Sequence, residues 1–166
     1  MPDSQWSFWT FSLKVYAEHA VADVCLSLQD QFNADVNVLL FMLWSADQGR
    51  RLSLQEIGDI IDLVTPWQIQ VVRPLRLARR SLKIPPSDWP LQEVEALRQR
   101  VKADEVEAER LQQQALARFA GANDIGQPDT TRAALVSNLK SYANLLNAAF
   151  PDQAVSILMG SISSRD

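Results

Sequence analysis

Apolar residues recur along the chain at spacings of three and four, the period of an amphipathic helix. No segment alternates apolar and polar residues in the way that indicates a half-buried strand. The five glycines and eight prolines lie mostly where helical segments begin or end. The pattern therefore predicts an all-α fold, made of a compact bundle of about five helices and a C-terminal amphipathic helical hairpin.

The bounds of the predicted helices follow from prolines and from capping residues, among them a left-handed cap at Asn33 and a capping box formed by Ser53 and Glu56. They cover residues 4–17, 20–32, 35–48, 53–64, 65–82, 91–119, 130–149 and 152–159. Pro74 is expected to kink the fifth helix, because proline removes an internal hydrogen bond and clashes with the preceding turn. The run IPPSDWP at 84–90 predicts a connector between a compact N-terminal unit, 1–83, and a C-terminal hairpin with a short last helix, 91–166. The two parts are expected to form one structural domain overall.

Two of the helices indicate what the core contains. The first places apolar side chains along one side at spacings of three and four, namely Trp6, Trp9, Leu13 and Tyr16, and Phe8, Phe11 and Val15 broaden this apolar surface. The third contains the run ADVNVLLFMLW at 34–44 and is apolar on nearly every side. Because such a helix is buried by its neighbours, we expect it to be the central helix of the fold.

Composition narrows the class of protein. With 47 % hydrophobic and 22 % charged residues, the chain is typical of a soluble globular protein. A single cysteine, Cys25, excludes an intramolecular disulfide and a zinc site built from cysteines. The N-terminal residues lack the pattern of a signal peptide, and the longest apolar run, 38–44, is far short of the ~20 residues that cross a membrane. We therefore expect a cytoplasmic protein with no membrane span and no cofactor.

Charge is unevenly distributed along this acidic chain. The net charge of −4 argues against a general nucleic-acid binder, yet residues 50–83 carry seven basic and three acidic residues. Four basic residues at helical spacing form a predicted stripe, namely Arg73, Arg76, Arg80 and Lys83. The stripe either pairs internally with Glu56, Asp59 and Asp62 of the preceding helix or binds an anionic partner. An acidic protein is the favoured partner, and RNA or another anionic ligand is the alternative.

A second candidate site lies around the start of the third helix. Asp35 is expected to cap this helix by accepting hydrogen bonds from its first free amides. Capping does not explain Asn37, which is predicted to be buried, where an amide needs a partner. That partner is either the backbone or a Trp indole of a neighbouring helix, or a ligand in a polar pocket. The predicted pocket contains His19, Asp30, Asp35, Asn37 and Trp44.

Residues suited to catalysis are few. His19 is the only histidine, and Cys25 lies on the apolar face of the second helix, where thiols are usually inert. The acidic residues of 56–62 lack the second acidic helix that a magnesium site for diphosphates needs. We therefore predict no catalytic residue and no metal site, and the balance favours a protein that is not an enzyme.

The segment LSLQDQFNADVNVLLFMLW at 26–44, together with SFWTFS at 7–12 and TPW at 65–67, resembles a family of uncharacterised proteobacterial proteins. The resemblance covers the N-terminal half and implies a bacterial, cytoplasmic protein with no established activity. The leading hypothesis is a non-enzymatic protein-interaction or regulatory module that uses the basic stripe. The alternative is a small-ligand-binding or enzymatic pocket around Asp30, Asn37 and Trp44, and the oligomeric state is left open.

Overall fold

The computed structural model describes residues 4–163, and the side chains of residues 8–162, so the predicted position of the Trp6 side chain lies outside the described part. The helices are α1 (Ser4–Tyr16), α2 (His19–Phe32), α3 (Val36–Asp47), α4 (Leu54–Trp67), α5 (Arg73–Ser81), α6 (Leu91–Asn123), α7 (Thr131–Leu145) and α8 (Asp152–Ser163). A π-helical segment, Gln68–Val72, joins α4 to α5. Strands β1 (Arg50–Arg51) and β2 (Gln127–Pro128) pair antiparallel and are the only strands in residues 4–163. The prediction of an all-α fold is confirmed.

The chain divides into two compact units. The first unit consists of Met1–Ile61 and Gln113–Asp166, and the second of Asp62–Gln112. The division in sequence falls inside α4 and α6. The proline-rich connector predicted at 84–90 lies between α5 and α6, within the second unit.

Helix α3 is the centre of the first unit, as the sequence predicted. Every residue from Asn37 to Ala46 is buried. Helices α1, α2, α7 and α8 all pack on α3, and α7 packs on it most extensively. The sequence predicted that α7 forms a hairpin with α6, whereas its most extensive packing is on α3. The apolar face of α7 (Leu135, Leu139 and Tyr142) is buried there.

The buried face of α1 is formed by the three residues that were expected to broaden its apolar surface. Phe8, Phe11 and Val15 are buried, whereas Leu13, which was expected inside, is 55 % exposed. The Phe8 ring lies 5.4 Å from the Phe41 ring and 5.1 Å from the Trp44 ring, measured between centroids. Helix α1 has apolar residues on two sides, and this aromatic contact with α3 decides which side is buried.

The turn between α2 and α3 has the predicted capping chemistry. Asn33 ends α2 in the left-handed conformation, with φ of 58°. The Asp35 carboxylate accepts a hydrogen bond of 2.8 Å from the backbone N–H of Asn37, so Asp35 is the N-cap of α3. Both roles are confirmed.

The helix runs through Pro66, where a helix start was predicted, and is distorted ahead of Pro74, where a kink was predicted. A new helix was expected to begin at Thr65–Pro66, but α4 continues through Pro66 to Trp67. Within the second unit, the Trp67 indole donates a hydrogen bond of 2.9 Å to the carbonyl of Ala108, which holds this turn against α6. Ahead of Pro74 the helix widens into the π segment, where the N–H of Arg73 donates to the carbonyl of Gln68. The predicted distortion at Pro74 is thus a π turn, which accommodates the proline that lacks an N–H.

Candidate functional site

The five residues of the predicted polar pocket fall into two groups. His19 and Asp30 are exposed on α2, and within residues 4–163 their side chains form no hydrogen bond or ion pair. Asp35 is half-buried and caps α3, whereas Asn37 and Trp44 are buried in α3. The two ionisable residues of α2 are therefore exposed to solvent, whereas the two residues of α3 are buried.

Asn37 has its polar partner inside the first unit. Its side chain is 4 % exposed, and its Oδ1 accepts a hydrogen bond of 2.9 Å from Nε2 of Gln113, which is 3 % exposed. The partner is a side-chain amide, whereas the sequence analysis proposed a backbone group or a Trp indole. Gln113 lies 76 residues away on α6, so no local sequence pattern could identify it.

A second buried amide, Asn138 of α7, was missed by the sequence analysis. It is fully buried and accepts a hydrogen bond of 2.8 Å from the N–H of Leu52. Its own amide donates to the carbonyls of Arg50, at 3.2 Å, and Met42, at 3.4 Å. The sequence does indicate that Asn138 is buried, because it lies on the same helical face as the apolar residues Leu135 and Tyr142. Asn138 therefore ties the end of α3 and the loop after it to α7.

The capping box at the start of α4 also closes a distant loop. The N–H of Ser53 donates to Glu56 at 2.7 Å and the N–H of Glu56 donates to Ser53 at 3.2 Å, as the sequence predicted. The other carboxylate oxygen of Glu56 accepts a hydrogen bond of 2.9 Å from the N–H of Gly126. Burial raises the pKa of Glu56, but the hydrogen bonds from Ser53 and Gly126 lower it by more, so its pKa is below the ordinary value. This carboxylate is held ionised in a structural role.

Gly126 is required for that loop. Its φ is +85°, and a Cβ at this position would lie 3.0 Å from Cβ of Arg50. The Arg50 guanidinium donates to the carbonyl of Gly126 at 3.0 Å and pairs with Asp124 at 3.2 Å. Arg50, one of the basic residues of 50–83, therefore has partners within the first unit.

The predicted basic stripe is divided between two faces of α5. Arg76 faces α6, where it pairs with Glu105 and with Glu109, each at 3.0 Å. Arg79 also pairs with Glu105. Burial raises the pKa of Glu105, but the hydrogen bonds and charges of Arg79 and Arg76 lower it by more, so its pKa lies below the ordinary value. The internal partners of Arg76 are thus carboxylates of α6, whereas the sequence predicted acidic partners on the helix that precedes α5.

The other basic residues of α5 face solvent. Arg73 and Arg80 are exposed, and Leu77 between them in sequence is 68 % exposed. Because they are spaced by four and three residues, all three lie on one face of the helix. Lys83 and Ile84 follow the end of the helix and are also exposed. Arg80 and Lys83 form no ion pair within the described residues. We call Arg73, Leu77, Arg80, Lys83 and Ile84 the α5 surface.

Groups that support metal or thiol chemistry are scarce in the described part of the chain. In residues 4–163 no three His, Cys, Asp or Glu side chains are grouped so as to hold a metal ion. Cys25 is fully buried, and burial raises the pKa of its thiol to about 12, so the nucleophilic thiolate is suppressed. None of the described helices is long and apolar enough to cross a membrane.

Comparison with known protein families identifies the family of this chain. The model of a family described as "Protein of unknown function (DUF2390)" matches residues 7–116, which is more than half of the chain. No curated protein matches, and no solved structure matches. The match includes α5 and both acidic partners of Arg76 on α6.

Proposed function

We propose that this chain, which belongs to the DUF2390 family of proteins of unknown function, is a non-enzymatic protein-interaction module. In this proposal the α5 surface binds an acidic, amphipathic segment of another protein. The resemblance of 26–44 and the single, buried cysteine suggest that this binding takes place in the cytoplasm of a bacterium.

The contrast between the two faces of α5 carries the proposal. On the inner face, Glu105 and Glu109 neutralise Arg76, and Arg79 pairs with Glu105. On the outer face, Arg80 and Lys83 have no acidic partner in the described residues. Positive charge of this kind on a surface attracts an anionic partner and speeds association with it.

The apolar part of the α5 surface indicates the kind of anion. Leu77 and Ile84 are 68 % and 87 % exposed, and a partner that covers them must present apolar side chains. An amphipathic protein segment offers carboxylates and apolar side chains at helical spacing, which fits Arg73, Leu77 and Arg80. RNA would leave Leu77 without an apolar contact and would be repelled by the net charge of −4.

The test is affinity purification from the native cell, followed by mass spectrometry. The variant Arg73→Glu with Arg80→Glu inverts two charges of the α5 surface and replaces no residue of the ion pairs of Arg76. The matched control is Arg118→Glu with Arg132→Glu, which makes the same change at two exposed arginines of the first unit. Circular dichroism checks that both variants keep the helical fold.

We expect the α5 variant to lose at least one specific partner that the control keeps. A purified acidic segment of that partner is then expected to bind the wild-type chain at least about tenfold more tightly than the α5 variant. If both variants retain the same partners as the wild-type chain, the α5 surface has no role in binding and the proposal is wrong. If the partner bound is a nucleic acid, the proposed chemistry of the partner is wrong.

A further inference from the structure

A groove between α7 and α8 in the first unit has no part in the function proposed above. Its volume is about 270 Å³, and it is lined by apolar side chains of α7, the following loop and α8, including Leu139, Phe150 and Val155. Pockets for drug-sized ligands usually measure about 300–1,000 Å³, so this groove suits a smaller molecule.

The apolar wall of the groove is held in place from behind. The Phe150 ring lies 5.9 Å from the Phe32 ring and 6.1 Å from the Tyr142 ring, measured between centroids. Tyr142 is buried, and its hydroxyl accepts a hydrogen bond of 2.8 Å from the N–H of Asp35. This chain of contacts fixes Phe150, so the groove does not depend on a ligand to form its apolar wall.

Three polar side chains line the same groove, and none of them has a partner within residues 4–163. Lys140 and Asn144 are exposed one turn apart on α7, and Asp152 is exposed in the first turn of α8. Lys140 and Asp152 carry opposite charges, but they form no ion pair with each other or with any described residue. The groove therefore presents one positive and one negative group that are not paired with each other, together with apolar side chains.

We propose that this groove binds a free α-amino acid with an apolar side chain. The ammonium of Lys140 pairs with the carboxylate of the ligand, the carboxylate of Asp152 pairs with its ammonium, and the Asn144 amide hydrogen-bonds between them. The apolar side chain of the ligand lies against Leu139, Phe150 and Val155. A zwitterion satisfies both charges, whereas a simple anion would face Asp152 and a simple cation would face Lys140 without compensation.

The experiment is isothermal titration calorimetry of the full chain with L-leucine, compared with two probes that each lack one charge. These probes are 4-methylpentanoate, which has no ammonium, and 3-methylbutylamine, which has no carboxylate. We expect saturable binding of L-leucine that is at least about tenfold tighter than binding of either probe. We also expect at least about tenfold weaker binding of L-leucine by Lys140→Glu.

A control variant and a second measurement keep the outcome decisive. Lys14→Glu makes the same change at an exposed lysine of α1 and is expected to leave binding of L-leucine unchanged. In methyl NMR spectra, leucine is expected to shift the signals of Leu139 and Val155. Absence of saturable binding by leucine, valine and phenylalanine would overturn the proposal. Equal binding of L-leucine and 4-methylpentanoate would also overturn it, since Asp152 would then have no role.

Discussion

Replacement of Asn138 by alanine tests the hydrogen-bond network that joins α7 to α3. Asn138 is fully buried and is the acceptor for the N–H of Leu52, which is itself buried. Loss of that acceptor leaves a buried donor unsatisfied, which costs about 1–3 kcal/mol. The longer hydrogen bonds to the carbonyls of Arg50 and Met42 add about 0.5–1 kcal/mol together, while the better helix propensity of alanine returns roughly 0.5 kcal/mol.

The expected loss of stability for Asn138→Ala is therefore about 1–3.5 kcal/mol, which lowers the Tm of a chain of this length by roughly 2–14 °C. Urea denaturation followed by circular dichroism measures the free energy of unfolding. Asn144→Ala is the matched control, because it makes the same side-chain change at an exposed site of α7 and should alter stability by less than about 0.5 kcal/mol. Equal stabilities of the two variants would refute the described role of Asn138.

Three further predictions concern charge, the thiol and the other buried amide. The pKa of Glu105 is lowered in the folded state, so the ion pairs of this carboxylate stabilise the fold above the unfolded pKa of about 4.3. That stabilisation is lost as the pH falls through the folded pKa. The variant Glu105→Gln should therefore show a weaker dependence of stability on acid pH in urea titrations. Because burial raises the pKa of Cys25 to about 12, a thiol reagent at about pH 8 should label it in urea but not in the native chain. Asn37→Leu should destabilise the fold by about 1–3 kcal/mol, because Gln113 is left buried without its partner, and the further change Gln113→Leu should recover part of that loss in the same denaturation assay.

Features that depend on neighbours in sequence were predicted correctly. The capping box of Ser53 and Glu56 and the N-cap at Asp35 involve residues two or three positions apart, so the sequence itself contains both partners. The central position of α3 follows in the same way, because a helix that is apolar on every side has to be buried. Local chemistry decides these features, and a single sequence records it.

Features that depend on distant residues were not predicted. Both faces of α1 are apolar, and only contact with Phe41 and Trp44 selects the one that is buried. Arg76 had acidic residues available on the preceding helix, but it pairs with Glu105 and Glu109 of α6. The π segment ahead of Pro74 likewise reflects how the chain accommodates a missing N–H within a helical stretch that the Trp67 indole holds against α6. In each case the spacing of residues indicated which contacts were possible, and tertiary packing determined which of them formed.

The two buried amides show how a polar residue in an apolar helix should be interpreted. Asn37 was a candidate binding residue because a buried amide requires a hydrogen-bond partner. Its partner is the side chain of Gln113 within the first unit. Asn138 meets the same requirement with three backbone groups. In contrast, Lys140, Asn144 and Asp152 line a groove and have no partner within the described residues. Partners within the fold thus account for the side chains of Asn37 and Asn138, and polar side chains whose hydrogen-bonding capacity the fold leaves unused are the better candidates for binding a ligand.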